Sequence, residues 1–249
     1  MLKIILGIAL AIYFIGLVIV KTPASIVTAQ IQKAAPQLKL STIRGTAWQG
    51  RAGSAVVNAQ GITLPLGTLK WRFQPASLLS LKACVDVESD MLNGVLCRGI
   101  TGTNHFRNLQ ADLPVDIANR FTGAVKLAGS ASMSIREASV DDKGFVSALD
   151  GNLAWRGARL NVEGMWFTLG DFAADLSAAS EGAIAASIFD LAGEFGVKLN
   201  GEVGVNVPPK VAGEIELREG APDEIRDAMG LFAVQQENGA YAISYPMGQ

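Results

Sequence analysis

Leu64-Pro-Leu66-Gly67-Thr-Leu69-Lys-Trp71-Arg72-Phe-Gln-Pro75-Ala-Ser-Leu78-Leu79 is the stretch that decides the fold class. Leu69 and Trp71 stand two apart, which in an extended chain turns both to one face of a strand. The pattern Gly-x-Leu-x-Trp-Arg at Gly67–Arg72 returns as Gly151-Asn-Leu153-Ala-Trp155-Arg156. A second pair follows in the same order: Val125-Lys-Leu127-Ala-Gly129 and Val197-Lys-Leu199-Asn-Gly201, each after a phenylalanine, Phe121 or Phe195. Shared order predicts two related β modules, residues 38–137 and 138–249, stacked into one continuous curved antiparallel sheet. The same two-residue rhythm appears in Leu38-Lys-Leu40-Ser-Thr-Ile43, Ile62-Thr-Leu64-Pro-Leu66 and Ile215-Glu-Leu217. Composition agrees: with 27 glycines and only 18% charged residues in 249, a helical bundle is disfavoured against strands and turns.

The N-terminus reads differently. Ile4 to Val20, with Leu10 near its middle, is an uncharged run bracketed by Lys3 and Lys21. As a helix it spans roughly 25 Å, and the lysines can snorkel to headgroups, so residues 1–21 are expected to be a cytoplasmic tip and transmembrane anchor. The alternative is a cleaved signal peptide. Val27-Thr28-Ala29 is a passable cleavage sequence, but Lys21 stands where a small neutral segment is expected. Long domains translocate largely regardless of flanking charge, which puts the C-terminal part outside the cytoplasm. Residues 22–37 read as a juxtamembrane helix and linker: Thr22-Pro23 as cap and first helical position, Val27, Ile31 and Ala34 on one face, Pro36 as the stop.

Further helices are expected over Leu113–Phe121, over Pro222–Met229 with acids in its first turn, and over Ala183–Leu191. Phe232 to Tyr245 reads as a hairpin turning at Asn238-Gly239.

The two cysteines, Cys84 and Cys97, lie in a segment that alternates like a hairpin. A turn centred on Asp90-Met91 sets them opposite each other. Asn93-Gly94 is the stronger turn signal, but a turn there would pair Cys84 with Thr103. The disulfide reading prefers the first register, treats Asn93-Gly94 as a bulge and implies an oxidising compartment.

Little in the chain points to chemistry. The one histidine, His105, lies in a Gly-Thr-Asn-His-Phe-Arg stretch read as a loop, with no second histidine for a metal and no serine or cysteine elbow. Asp141-Asp-Lys-Gly144 reads as a turn, and Asp86, Glu88 and Asp90 as a solvated strand face without a calcium loop. Trp48, Trp71, Trp155 and Trp166 could form carbohydrate platforms, but beside leucine and glycine they read as packing residues. Net charge is −2, and more acidic without Lys3 and Lys21, which leaves no nucleic-acid footprint and no polybasic membrane patch. No enzyme and no cofactor are expected.

Ile43-Arg-Gly45-Thr-Ala-Trp48-Gln-Gly50-Arg-Ala-Gly53, followed by Leu64–Leu79 with its Gly67, Trp71 and Pro75, resembles protein N of the bacterial type II secretion system. The Gly-Thr-x-Trp-x-Gly opening and the Leu-x-Trp-x-x-x-Pro-x-x-Leu-Leu strand and turn both match the family pattern, and Gly151 to Trp155 fits it too. The resemblance implies an inner-membrane accessory of the machine that exports folded proteins from the periplasm, in contact with other subunits of that system. Similar strand-turn patterns occur in AsmA-type proteins that handle envelope lipid. That keeps a second expectation open: a curved β groove that binds lipid.

Overall fold

The computed structural model describes residues 21–59, 62–120, 125–205, 207–221 and 223–245. The anchor expected at Ile4, Leu10 and Val20 lies outside them. Among the described residues no helix is long and apolar enough to cross a membrane.

The chain is mainly β. Among the described residues one antiparallel sheet takes fourteen strands, hydrogen-bonded in chain order from β1 to β12 and then β14 and β13. Two compact units divide at Cys97/Arg98. The first holds α1 (Ala24–Ala34), β1 (Leu38–Gly45), β2 (Gln49–Ala59), β3 (Ile62–Gln74), a 3-10 turn Pro75–Ser80, β4 (Lys82–Glu88) and β5 (Leu92–Gly99), whose last two residues fall in the second. The second continues with β6 (Asn104–Pro114), a 3-10 turn Val115–Arg120, β7 (Lys126–Val140), β8 (Val146–Val162), β9 (Met165–Ala178), β10 (Ile184–Ala192), β11 (Phe195–Val203) and β12 (Lys210–Leu217). It ends with α2 (Asp223–Phe232), β13 (Val234–Gln235) and β14 (Tyr241–Tyr245).

In the first unit the register sorts side chains cleanly. Ile43 pairs with Ala52 and Ala52 with Leu69; Trp71 pairs with Gly50 and Val87, and Phe73 with Val85. Directly paired residues share a face, so this face is apolar. The other carries Arg44, Arg51, Lys70, Arg72, Asp86 and Glu88. The second unit repeats the division: Leu153 pairs with Met133 and Ala174, Trp155 with Ala131 and Phe172, and Ile188 with Ala174 and Leu199. Phe195, Val197 and Ala221 form a small core there, packed against Phe172, Ile188, Ile215 and Ile225 of α2. Elsewhere the apolar face is only half-buried, and among the described residues no large side chain is fully enclosed.

Several local expectations need correction. Ala183–Leu191 is not a helix: Ile184–Ala192 is a strand paired on both sides. Its alanines favour helix, but the pairings with β9 and β11 satisfy its backbone and override that preference. Over Leu113–Phe121, Leu113 and Pro114 close β6 and only Val115–Arg120 turns, as 3-10 helix. A helix forms within residues 22–37, but Pro23 is its N-cap rather than its first residue, and it buries Ala24 and Thr28 instead of the face of Val27 and Ile31. The small residues face inward because α1 lies close along β1, where the Gln32 side-chain amide donates to Leu40 O at 3.0 Å. The C-terminal hairpin starts at Val234 rather than Phe232 and turns through Asn238-Gly239, with Gly239 at φ +83°.

Candidate interaction surfaces

Three local structures stand out, two of them built from residues singled out in the sequence. The first is the cysteine hairpin. Ser89 N–H donates to Leu92 O at 2.6 Å and closes a two-residue turn at Asp90-Met91. Five residues back along each strand, Cys84 and Cys97 face each other with Cα atoms 4.0 Å apart and are joined by a disulfide. That short spacing belongs to a pair exchanging no backbone hydrogen bonds. Cys84 N–H accordingly donates the other way, to Ser77 Oγ at 3.0 Å. Asn93-Gly94 makes no turn and lies inside β5.

Ser77 belongs to the turn that starts at Pro75. Its hydroxyl also donates to Gln74 O at 2.6 Å, and Ser80 Oγ donates to Ser77 O at 2.8 Å. The turn ends on Leu81 in the left-handed region (φ +56°), with Leu81 N–H donating to Leu78 O. It therefore has a fixed shape, yet it holds three leucines in solvent: Leu78 at 52%, Leu79 at 92% and Leu81 at 62% exposure. Pro75 starts the turn and Leu78-Leu79 is its outer surface, so the family-like motif ends on an exposed feature rather than a packed one.

The second structure is a row of charge on the polar face of the first unit. Arg44 pairs with Arg51, Arg51 with Lys70 and Lys70 with Glu88, directly opposite one another on four neighbouring strands. Lys70 Nζ meets Glu88 Oε1 at 2.9 Å. Arg72 lies one step along, between Gln49 and Asp86, but Asp86 accepts from the Gln74 amide at 2.7 Å. Arg44, Arg51 and Arg72 make no ion pair among the described residues. Like charges set directly opposite destabilise a sheet. Together with Glu88 and Trp71 they line an open depression of about 620 Å³. Sequence reading missed this row, because Arg44, Arg51 and Lys70 are scattered in the chain and only the register unites them.

The third structure surrounds the tryptophans. Trp48 meets Phe73 edge-on, with centroids 5.0 Å apart. Trp71 lies over Gly50, where a β-carbon would collide with its ring. Gly45 (φ +99°) closes the β1–β2 hairpin, and Gly67 (φ +72°) leaves room for Asp90, whose carboxylate accepts from Thr68 N–H at 3.1 Å. In the second unit a β-carbon on Gly151 would crowd Ser134 O at 2.9 Å and the Ile135 Cα at 3.2 Å. Trp155 stacks obliquely on Phe172 at 6.1 Å, and its indole N–H donates to Ala128 O at 3.1 Å. Trp155 also forms one wall of an almost wholly apolar pocket of about 420 Å³, roofed by Val115, Ile117 and Ala118 of the second 3-10 turn. Asn119 pins that turn by a paired hydrogen bond to the Leu127 backbone. Trp166 differs from the other three: half-exposed at the β8–β9 tip with Val162 and Met165, it carries the Arg159 guanidinium at 5.5 Å.

His105 lies in β6, not in a loop, with Nδ1 2.8 Å from Ser139 Oγ. Asp141 Oδ1 accepts from the N–H groups of Lys143 and Phe145, forming the tight turn between β7 and β8. Among the described residues no group of three metal-ligating side chains converges. Asp190 has a carboxyl whose titration is shifted by its surroundings. Burial alone would raise its pKa, but the Val197 N–H it accepts at 2.8 Å and the Arg218 guanidinium at 2.7 Å outweigh that and hold it below its ordinary value.

Residues 36–244 match the family model described as type II secretion system (T2SS), protein N. No curated protein and no solved structure matches the chain.

Proposed function

The chain belongs to the type II secretion system protein N family, and on that premise we propose that it is an inner-membrane-anchored, periplasmic subunit with a structural or assembly role in export. The observation that carries this reading is the extent of the family match, which runs from before β1 to within β14. The uncharged run Ile4–Val20 supplies the anchor, and a Cys84–Cys97 bond suits an oxidising compartment outside the cytoplasm. The role is contact with other secretion subunits rather than catalysis. Exposed apolar tips such as Val162, Met165 and Trp166, and the short outer strands β13 and β14, offer surfaces of the kind partners use. On this reading residues 38–137 and 138–249 are two related β modules that present such surfaces twice. Deleting the gene is expected to leave folded exported proteins in the periplasm, measured by their activity in periplasmic and culture fractions. Normal export after deletion would sink the reading.

The apolar pocket beside Trp155 and the half-buried face around it favour one second reading, a lipid-handling module. That reading expects phospholipid to co-purify with the full chain, and expects Ala131→Trp, which fills the pocket, to abolish it. Intact export with a leaky envelope in the deletion strain would favour it over secretion.

A further inference from the structure

We propose that the 3-10 turn Pro75–Ser80 and the neighbouring cations dock the first unit on the membrane surface, with the leucines entering the interface and the arginines meeting anionic headgroups. The proposal rests on the reading that residues 4–20 sit in the bilayer.

The argument starts from where the chain enters the sheet. Thr22 O accepts from Ala47 N–H at 2.9 Å, and Pro23 bridges to Thr46. The segment leaving residues 1–20 is therefore fastened to the β1–β2 turn at 46–49. Strands β1 and β3 both run antiparallel to β2, so β3 runs toward the same end, where Gln49 pairs with Arg72. The turn at Pro75 follows two residues beyond Gln74's neighbour Phe73, and so lies at that end as well. An anchor in the bilayer holds this end of the unit against the bilayer surface.

What this end displays is what an interface takes. Leu78, Leu79 and Leu81 protrude from a turn fixed by the Ser77 and Ser80 hydroxyls and by its hydrogen bond to disulfide-linked Cys84. Ile26, in the first turn of α1 and three residues after the Pro23 bridge, is exposed as well. Leu79, at 92% exposure, is almost free of packing within the unit, and Leu78 and Leu81 leave more than half of their surface uncovered beside it. Arg44, Arg51 and Arg72 lie within about two residues of the 46–49 turn, roughly 7 Å along the strands, within reach of a long side chain. Apolar insertion combined with basic side chains is how proteins bind membrane surfaces without spanning them, since each alone is weak. The tolerated repulsion between Arg44 and Arg51 is relieved when phosphates neutralise them.

The test uses the full chain reconstituted in phosphatidylethanolamine/phosphatidylglycerol vesicles, with an environment-sensitive fluorophore on Ala76→Cys and the Cys84–Cys97 bond intact. A control label sits on Thr63→Cys, about 35 Å back along β3. Lipids brominated in their acyl chains are expected to quench the Ala76 label by about half or more and leave the Thr63 label unchanged. Leu79→Ser is expected to weaken the quenching. So are the triple variant Arg44→Gln/Arg51→Gln/Arg72→Gln, replacement of phosphatidylglycerol by phosphatidylcholine, and about 0.5 M salt. If the chain floats with vesicles but the Ala76 label stays unquenched, the proposal falls and the anchor reading stands; if the chain does not float, both fall. Protection of the label only after purified secretion subunits are added would put a protein on the turn and overturn the proposal.

Discussion

Gly129 and Gly201 occupy the same place in the repeated Val-Lys-Leu-x-Gly motif, yet they meet different surroundings. A β-carbon on Gly129 (φ +123°) would lie 2.7 Å from the Trp155 indole nitrogen and 2.7 Å from Arg156 O. One on Gly201 would meet nothing nearer than 3.6 Å. Gly129→Ala is expected to cost about 1–3 kcal/mol in urea unfolding, and Gly201→Ala to be neutral or stabilising by about 0.5 kcal/mol. Equal losses would mean that the motif glycines share a role the packing does not require. Gly50 is constrained in another way. Gly50→Ala drives a methyl into Trp71, so pairing it with Trp71→Leu is expected to recover part of the loss.

Asp190 sets a pH dependence of known sign. Its folded pKa lies below the ordinary carboxylate value, so its stabilising contribution is fully present above the unfolded value, about 3.9. It is lost as pH falls through the folded value. Asp190→Asn is expected to flatten the acid limb of the stability curve below about pH 4 and to cost about 1–2 kcal/mol at neutral pH. An unchanged acid limb in urea melts across that range would contradict the assignment.

Among the elements, the cysteine hairpin was the most legible, because two cysteines and an alternating pattern permit few registers. The ladder chose the one centred on Asp90-Met91 over the Asn93-Gly94 signal. Strand β10 was the least legible, since its local sequence favours helix and only its two neighbours make it a strand. The leucine turn and the arginine row fall between these cases. Their residues were in view, but exposure and cross-strand alignment are properties of the folded register, not of any one segment. Cys84→Ser/Cys97→Ser is expected to lower the stability of the first unit by about 2–4 kcal/mol. It is also expected to loosen the turn, because Ser77 then holds a backbone free to move. Faster amide exchange at Leu81 and Cys84 positions would register that loosening.

For the chain as a whole, the important fact is that β2 to β11 each pair with the strands immediately before and after them in sequence. Stability in such an array is set by neighbouring interfaces more than by one shared core. A lesion is therefore expected to stay local. The double serine variant should raise hydrogen exchange in β3 to β5 and leave β9 to β12 at wild-type protection. Uniform deprotection would show cooperativity that the pairing pattern does not predict.

The same pattern gives the sheet a natural order of birth. A chain appears N-terminus first, so each new strand from β2 to β12 arrives beside a predecessor already waiting for it. No early strand has to stay open until the C-terminus is made, and the hairpin of Cys84 and Cys97 is complete before β6 exists. Only at the end does the sequence break step: β12 receives its outer neighbour, β14, after α2 and β13 have gone past. Tyr241–Tyr245 thus cover the open edge of β12, and a nascent chain halted before Tyr241 would leave that edge open to any passing strand.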